Sequence, residues 1–160
     1  MFREQFENAG SVSMELTLRA DYGERVCDYR LSCRSAGGET AVTVLEPESV
    51  KGAVVRILSD GSVSLSAGGA EVYTGGVLED GLSPVDAVPA MLKAWKSGLV
   101  TGTSAEKFGG EACEAAVFRL SDQSSLRTWF SLRTSLPVHA EIYRSGAAVI
   151  LCDFNNVGVE

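Results

Sequence analysis

The sequence predicts a mainly β, α+β domain in which about ten antiparallel strands form a strongly curved sheet or incomplete β-barrel, covered by one or two helices. Three observations predict it. Apolar and polar residues alternate over most of the chain, the alternating runs are separated by short turn signals, and one central stretch switches to helical spacing. The connections are too short for repeated crossovers, so the strands should pair antiparallel rather than as a parallel α/β sheet.

Residues 1–10 read as the end of an N-terminal helix, and strands occupy 11–74. In SVSMELTLRA, Val12, Met14, Leu16 and Leu18 alternate with Ser11, Ser13, Glu15, Thr17 and Arg19, giving one core face and one wet face. After the Asp21-Tyr22-Gly23 turn, Cys27, Tyr29, Leu31 and Cys33 share one side, opposite Asp28, Arg30, Ser32 and Arg34. Shorter runs at 40–46, 53–59 and 62–67 are divided by PESVKG and by the tight-turn signal SDG, and AEVYTGG adds a short strand.

The segment 84–98 is helical: Val88, Met91, Leu92 and Trp95 recur at i, i+3, i+4, i+7, with Lys93 and Lys96 on the opposite side. Because Pro89 belongs in a first turn, Asp86 is the expected N-cap, Ser83-Pro84 the incoming turn, and Gly98 the residue just past the C-terminus. Alternation resumes in EAAVFRLSD, SLRTWFSLRT, LPVHAEIYRSG and AVILCDFNNV, filling 111–157. In the third of these, Val138, Ala140 and Ile142 should point to the core. His139 should face solvent beside Glu141 and Tyr143, and Pro137 opens the strand where no amide donor is needed. No repeat or linker divides residues 1–160, which fit a single domain.

The balance of 21 acidic to 14 basic residues gives a net charge of -7, without the basic patch that nucleic-acid binding requires. No apolar window reaches the roughly 18 residues of a membrane helix, so the chain as given is expected to be soluble. Cys27, Cys33, Cys113 and Cys152 form no C-x-x-C and have no histidine at ligand spacing, which argues against zinc, a redox dithiol or any other metal site. Cys27 and Cys33 lie six residues apart on one strand. At about 3.3 Å per residue they are beyond reach of one another, so any bridge would join one of them to Cys113 or Cys152.

No nucleophile elbow, phosphate loop, zincin or calcium motif is present, and no cofactor is expected. The carboxylate pairs Glu79-Asp80 and Glu111/Glu114 read as solvated loops, and His139 lacks a positioned nucleophile, so the chain is not expected to be an enzyme. Trp95 falls on the apolar helix face. Trp129 falls opposite Leu126, Phe130 and Leu132, which makes it a candidate exposed aromatic for a partner surface.

The stretch TWFSLRTSLPVHAEIYRSGAAVILCDFNNV resembles the closing hairpins of LolA/LolB-like lipoprotein-carrier domains in its Trp129, Leu136-Pro137-Val138 step, Glu141, Ser145-Gly146 and Phe154-Asn155-Asn156. Residues 42–75 resemble the middle strands of that family and LSPVDAVPAMLKAW its helix, with most likeness to the Gram-positive branch of germination-type (GerS-like) lipoproteins. The resemblance implies an open half-barrel lined by apolar side chains, able to hold acyl chains or to present a surface to a partner. No residue matches the basic cavity residue of the carriers by motif. It also implies an extracytoplasmic protein held to the membrane only by a lipid anchor absent from this chain, a location that the abrupt MFREQFENAG start would suit.

Two readings follow. In the first, Met14, Leu16, Leu18, Tyr29, Leu31, Leu65, Met91, Trp95, Phe118, Phe130, Ile142, Ile150 and Phe154 line a cavity for a lipid, acyl chain or lipoprotein. In the second, the core is filled and the domain binds an envelope protein or a spore cell-wall enzyme through Trp129 or a free sheet edge.

Overall fold

Alternation over residues 11–36 produces two long strands, β1 (Ser11–Asp21) and β2 (Val26–Ala36), paired along their whole length. The computed structural model describes residues 2–68, 70–73 and 82–160. Glu79-Asp80 and the end of AEVYTGG lie outside the described residues. The remaining strands are β3 (Glu39–Glu46), β4 (Val54–Ile57), β5 (Val63–Ala67), β6 (Ala70–Tyr73), β7 (Leu99–Phe108), β8 (Glu111–Arg119), β9 (Ser124–Ser131), β10 (Pro137–Arg144) and β11 (Ala147–Val159).

All eleven described strands join one antiparallel sheet in the order β6-β5-β4-β3-β2-β1-β11-β10-β9-β8-β7. It consists of two meanders, β1–β6 walking outward from the centre and β7–β11 walking inward from the opposite edge, joined where β1 meets β11 from Val12–Val159 to Ala20–Ile150. Within the described residues β6 and β7 are the two edges, so the sheet is open and curved rather than a closed barrel.

Two helices, α1 (Phe2–Glu7) and α2 (Pro84–Ser97), cover one face of the sheet. Phe2 and Phe6 of α1 are buried. Phe2 stacks on Phe130 at 3.9 Å, and Phe6 packs on Trp95 of α2 at 5.3 Å. Arg3 ties the helices together: its guanidinium donates to the carbonyls of Ala94, Trp95 and Gly98 at 2.7–3.1 Å, adding to the bond that the Gly98 N–H already makes to Ala94 at the end of α2. Gly98 lets the chain leave the end of α2 this closely, since a Cβ there would lie 2.7 Å from the Ala94 Cα. Among the described residues no helix is long and apolar enough to cross a membrane.

Three local expectations are corrected. The cap of α2 is Ser83, not Asp86: Ser83 and Asp86 form a reciprocal capping box, with Pro84 in the first turn, where its missing N–H costs nothing. Pro89 consequently sits inside the helix. The helix there forgoes the hydrogen bond a proline nitrogen cannot donate, and the buried stripe Val88, Met91, Leu92, Trp95 holds it in place. An eleventh strand, β7, fills 99–108, where no alternation announced it; most of its residues are exposed because it is an edge. Third, Val138 does not reach the main core. A register shift between Pro137 and His139 turns it to the outer face, beside Cys113, Ala115 and Trp129.

All four cysteines are free. Burial pushes the Cys33 thiol up to about 12, and it also raises Cys113 and Cys152. Only Cys27 is not buried. Because the thiolate is the reactive form, N-ethylmaleimide should add once, at Cys27, to the native protein and at all four positions in denaturant, as read by intact mass. Rapid native modification of Cys33 or Cys152 would contradict this packing.

Candidate functional site

The helix-covered face is largely filled by the protein's own side chains. Met14, Leu16, Leu18, Leu31, Met91, Trp95, Phe118, Phe130, Ile142 and Ile150 are all buried in one cluster, with Tyr29 and Phe154 packed against it half-buried. Trp95 is the hub. Its ring meets Phe6, Phe130 and Phe154 at 5.3–5.9 Å, and its indole N–H donates to the buried Thr128 hydroxyl at 3.0 Å. Leu65 stands apart on β5, exposed, beside the buried Val55 in the register.

The packing leaves a groove of about 690 Å³ on this face, between α2 and the start of β1, the β2–β3 hairpin and β4. Val12, Ile57, Pro89, Ala90 and Leu92 supply apolar wall, and the Gly37-Gly38 turn, with both residues at positive φ, keeps one end free of side chains. Lys93 and Lys96 stand on the helix side. The sequence pattern set both lysines opposite the apolar stripe. Lys96 instead flanks it, one turn beyond Leu92, and is half-buried. Its positive charge counteracts part of the rise that burial causes in the Cys33 thiol.

The opposite face carries features that the sequence reading placed in water. Across β1, β11, β10, β9, β8 and β7, residues Thr17, Asp153, His139, Trp129, Ala115 and Ser104 are successive register partners. His139 and Trp129 do point outward, but both are only 6% exposed, so neither is a solvent-facing residue or a free aromatic. Phe108 covers them, stacked on His139 at 4.4 Å and 5.4 Å from Trp129. Strands β8 and β9 separate Phe108 from β10, a span of about 14 Å at normal strand spacing, so the β7–β8 hairpin must curl over the outer face to bring the rings together.

Around this satellite core the charges are matched. His139 Nδ1 lies 2.7 Å from Asp153 and Nε2 lies 2.9 Å from Glu141, which also accepts from the Tyr143 hydroxyl. Burial and Glu141 push Tyr143 up to about 12. Glu106 accepts from Ser104, Trp129 and Arg127, and these bonds, Ser104's foremost, hold its carboxyl below the usual range. With both ring nitrogens facing carboxylates, His139 is held in place rather than presented as a base. Glu111, on the face opposite Glu114 by strand alternation, accepts from the Ser131 hydroxyl. Among the described residues no group of three or more His, Cys, Asp or Glu is placed to hold a metal ion.

A second, slightly larger groove of about 750 Å³ runs along this outer face, lined by Arg19, Asp28, Arg30, Glu46, His139 and Asp153. Its charges are internally paired: Arg19 with Asp28, Arg30 with Glu15 and Glu46, and His139 with Asp153. Both grooves have apolar residues in their walls, but among the described residues only the helix-side groove carries lysines without a carboxylate partner, and that groove is the candidate site.

No protein-family model and no curated protein sequence matches the chain. Solved structures do. An uncharacterized conserved protein from Thermus thermophilus superposes with a TM-score of 0.61 at 10% identity, over 99% of this chain and 85% of that one. A domain assigned to outer-membrane lipoprotein sorting from Vibrio parahaemolyticus gives 0.53 at 10% identity, over 99% and 89%. The Mycobacterium tuberculosis lipoprotein LppX gives 0.50 at 12% identity, over 95% and 88%. The chain therefore shares the fold of these structures, an open, curved antiparallel sheet covered on one face by helices.

Proposed function

We propose that this is a non-enzymatic extracytoplasmic domain that binds a lipid, an acyl chain or the acylated end of a lipoprotein in the groove beside α2. The observation that carries the reading is a groove of about 690 Å³ on the helix-covered face, with Val12, Ile57, Pro89, Ala90 and Leu92 in its wall. That size is within the usual range of small-molecule sites, and the groove needs no catalytic group to work. Burying an acyl chain supplies about 0.8 kcal/mol per methylene, so about ten methylenes match the free energy of micromolar binding before ordering costs.

The buried set from Met14 to Phe154 lies inward of this groove. A chain entering beside Val12 and Leu92 meets those residues when α1 or α2 shifts away from the sheet. The fold shared with lipoprotein-sorting domains supports both the ligand class and a place in the cell envelope. The Gram-positive germination branch, and anchoring through a lipid on the full-length protein, rest on the sequence resemblance alone.

The test is a groove-filling substitution. Ala90 lines the groove half-buried on α2, and Ala90→Trp should lower the affinity for a fluorescent acyl probe by at least about tenfold, the equivalent of removing roughly two methylenes of contact, while leaving the unfolding midpoint nearly unchanged. Unchanged probe binding in a folded Ala90→Trp protein would move the site elsewhere. Absence of lipid-sized added mass on protein gently recovered from its host envelope would count against ligand binding itself.

A further inference from the structure

We infer that the groove beside α2 selects amphiphiles with a single anionic head group, a carboxylate or phosphate oxyanion, held by Lys93 and Lys96. This deepens the acyl-binding reading and rests on it.

Both lysines line the groove, and neither has a carboxylate partner among the described residues. Among the described residues Asp86 is the acidic residue lining the same groove, and it forms an ion pair with neither lysine. It is 7% exposed, and its Oδ1 accepts from both the Ser83 backbone N–H and the Ser83 hydroxyl, at 2.9 and 2.8 Å. Among the described residues the groove therefore presents two ammonium groups with no carboxylate partner, in a chain whose net charge is -7.

A lysine in the last turn of a helix normally has a competing task, since the terminal carbonyls attract cations. Here Arg3 already satisfies the Ala94, Trp95 and Gly98 carbonyls, so Lys96 is not recruited to the cap. Its half-buried stem lies along the groove while its ammonium, three donors on a flexible stem, remains unspent. A groove with apolar residues in its wall and, among the described residues, two lysines without a carboxylate partner on its helix side fits a molecule with one long apolar tail and one oxyanion. A zwitterionic head would bring its own cation against the lysines, and an uncharged head would leave them unpaired.

The experiment compares dodecanoate, dodecyl phosphate and dodecanol, each below its micellar concentration, in displacing a neutral fluorescent acyl probe from the whole chain, with inorganic phosphate as the head-only control. The expected result is that both anionic amphiphiles bind at least about tenfold tighter than dodecanol, with the advantage shrinking as salt rises. Lys93→Gln with Lys96→Gln should remove that advantage and leave dodecanol unchanged. Lys107→Gln, on the distant edge strand, should keep it.

Equal affinity for dodecanoate and dodecanol, or an advantage that survives the double substitution or vanishes equally in Lys107→Gln, would overturn the inference while leaving acyl binding intact. Failure of all three amphiphiles to displace the probe would remove the acyl-binding reading and this inference together. Phosphate alone competing as well as dodecyl phosphate would mean that the lysines bind free oxyanions, and would overturn the amphiphile assignment.

Discussion

Trp95→Ala is expected to be the most damaging single substitution in this protein, lowering stability by about 3–5 kcal/mol. Trp95 is fully buried, and its ring is shared by α1 through Phe6, by β9 through Phe130 and by β11 through Phe154. Truncation removes contacts that join both helices to the sheet, and it leaves the Thr128 hydroxyl, itself completely buried, without the indole donor. A domain of this size has about 5–15 kcal/mol in total, so the loss takes a large share of it. Trp95→Phe should cost less, because most of the ring remains and the missing bond is worth about 1–3 kcal/mol when its partner stays buried. Urea unfolding, with the slope checked for constancy, measures both. A Trp95→Ala protein within about 1 kcal/mol of the parent would show that the helices are not fastened through this residue.

His139→Ala should cost about 2–3 kcal/mol, an amount that separates an embedded ring from a surface one. The substitution removes the stacking surface under Phe108, opens space beside Trp129, and leaves Glu141 and Asp153 without the ring between them. A solvent-facing histidine, as alternation alone suggested, would give a change within about 0.5 kcal/mol. Asp153→Asn, whose carboxylate is far more exposed than the ring, should be milder, because an amide oxygen can still accept from Nδ1. If His139→Ala leaves the unfolding curve in place, the hairpin is not closed over the outer face.

The contrast between His139 and Leu16 shows what a sequence can disclose here. For both, the parity of the strand gave the correct face. For Leu16 the face decided burial, because helices cover that side along the whole of β1. For His139 and Trp129 it did not, since their cover is Phe108, about thirty residues earlier in the sequence and two strands away, and nothing local records that the β7–β8 hairpin curls. Strand β7 itself escaped notice for the reason that makes it an edge: with one side open, Thr101, Thr103 and Ser104 need not alternate with apolar residues. Pro89 misled in a different way. Proline inside a helix carries a penalty, but the packing of Val88, Met91, Leu92 and Trp95 and the Ser83–Asp86 box outweigh it. The apolar stripe of α2 was legible; the groove was not, because it lies where α2 and the β2–β3 hairpin fail to touch.

The central pairing of β1 with β11 also constrains how this chain can reach its native state. Each meander can zip hairpin by hairpin from local contacts, yet the seam that unites them joins Val12 to Val159, from nearly opposite ends of the chain. A chain emerging from a ribosome or a translocation channel therefore holds the apolar side of β1 half-paired until the final strand is out. Through that interval the seam of β1 is an open template for any other extended segment. Delivery of residues 147–159 is thus the committing event, and a chain stalled short of them carries two finished half-sheets with no common core.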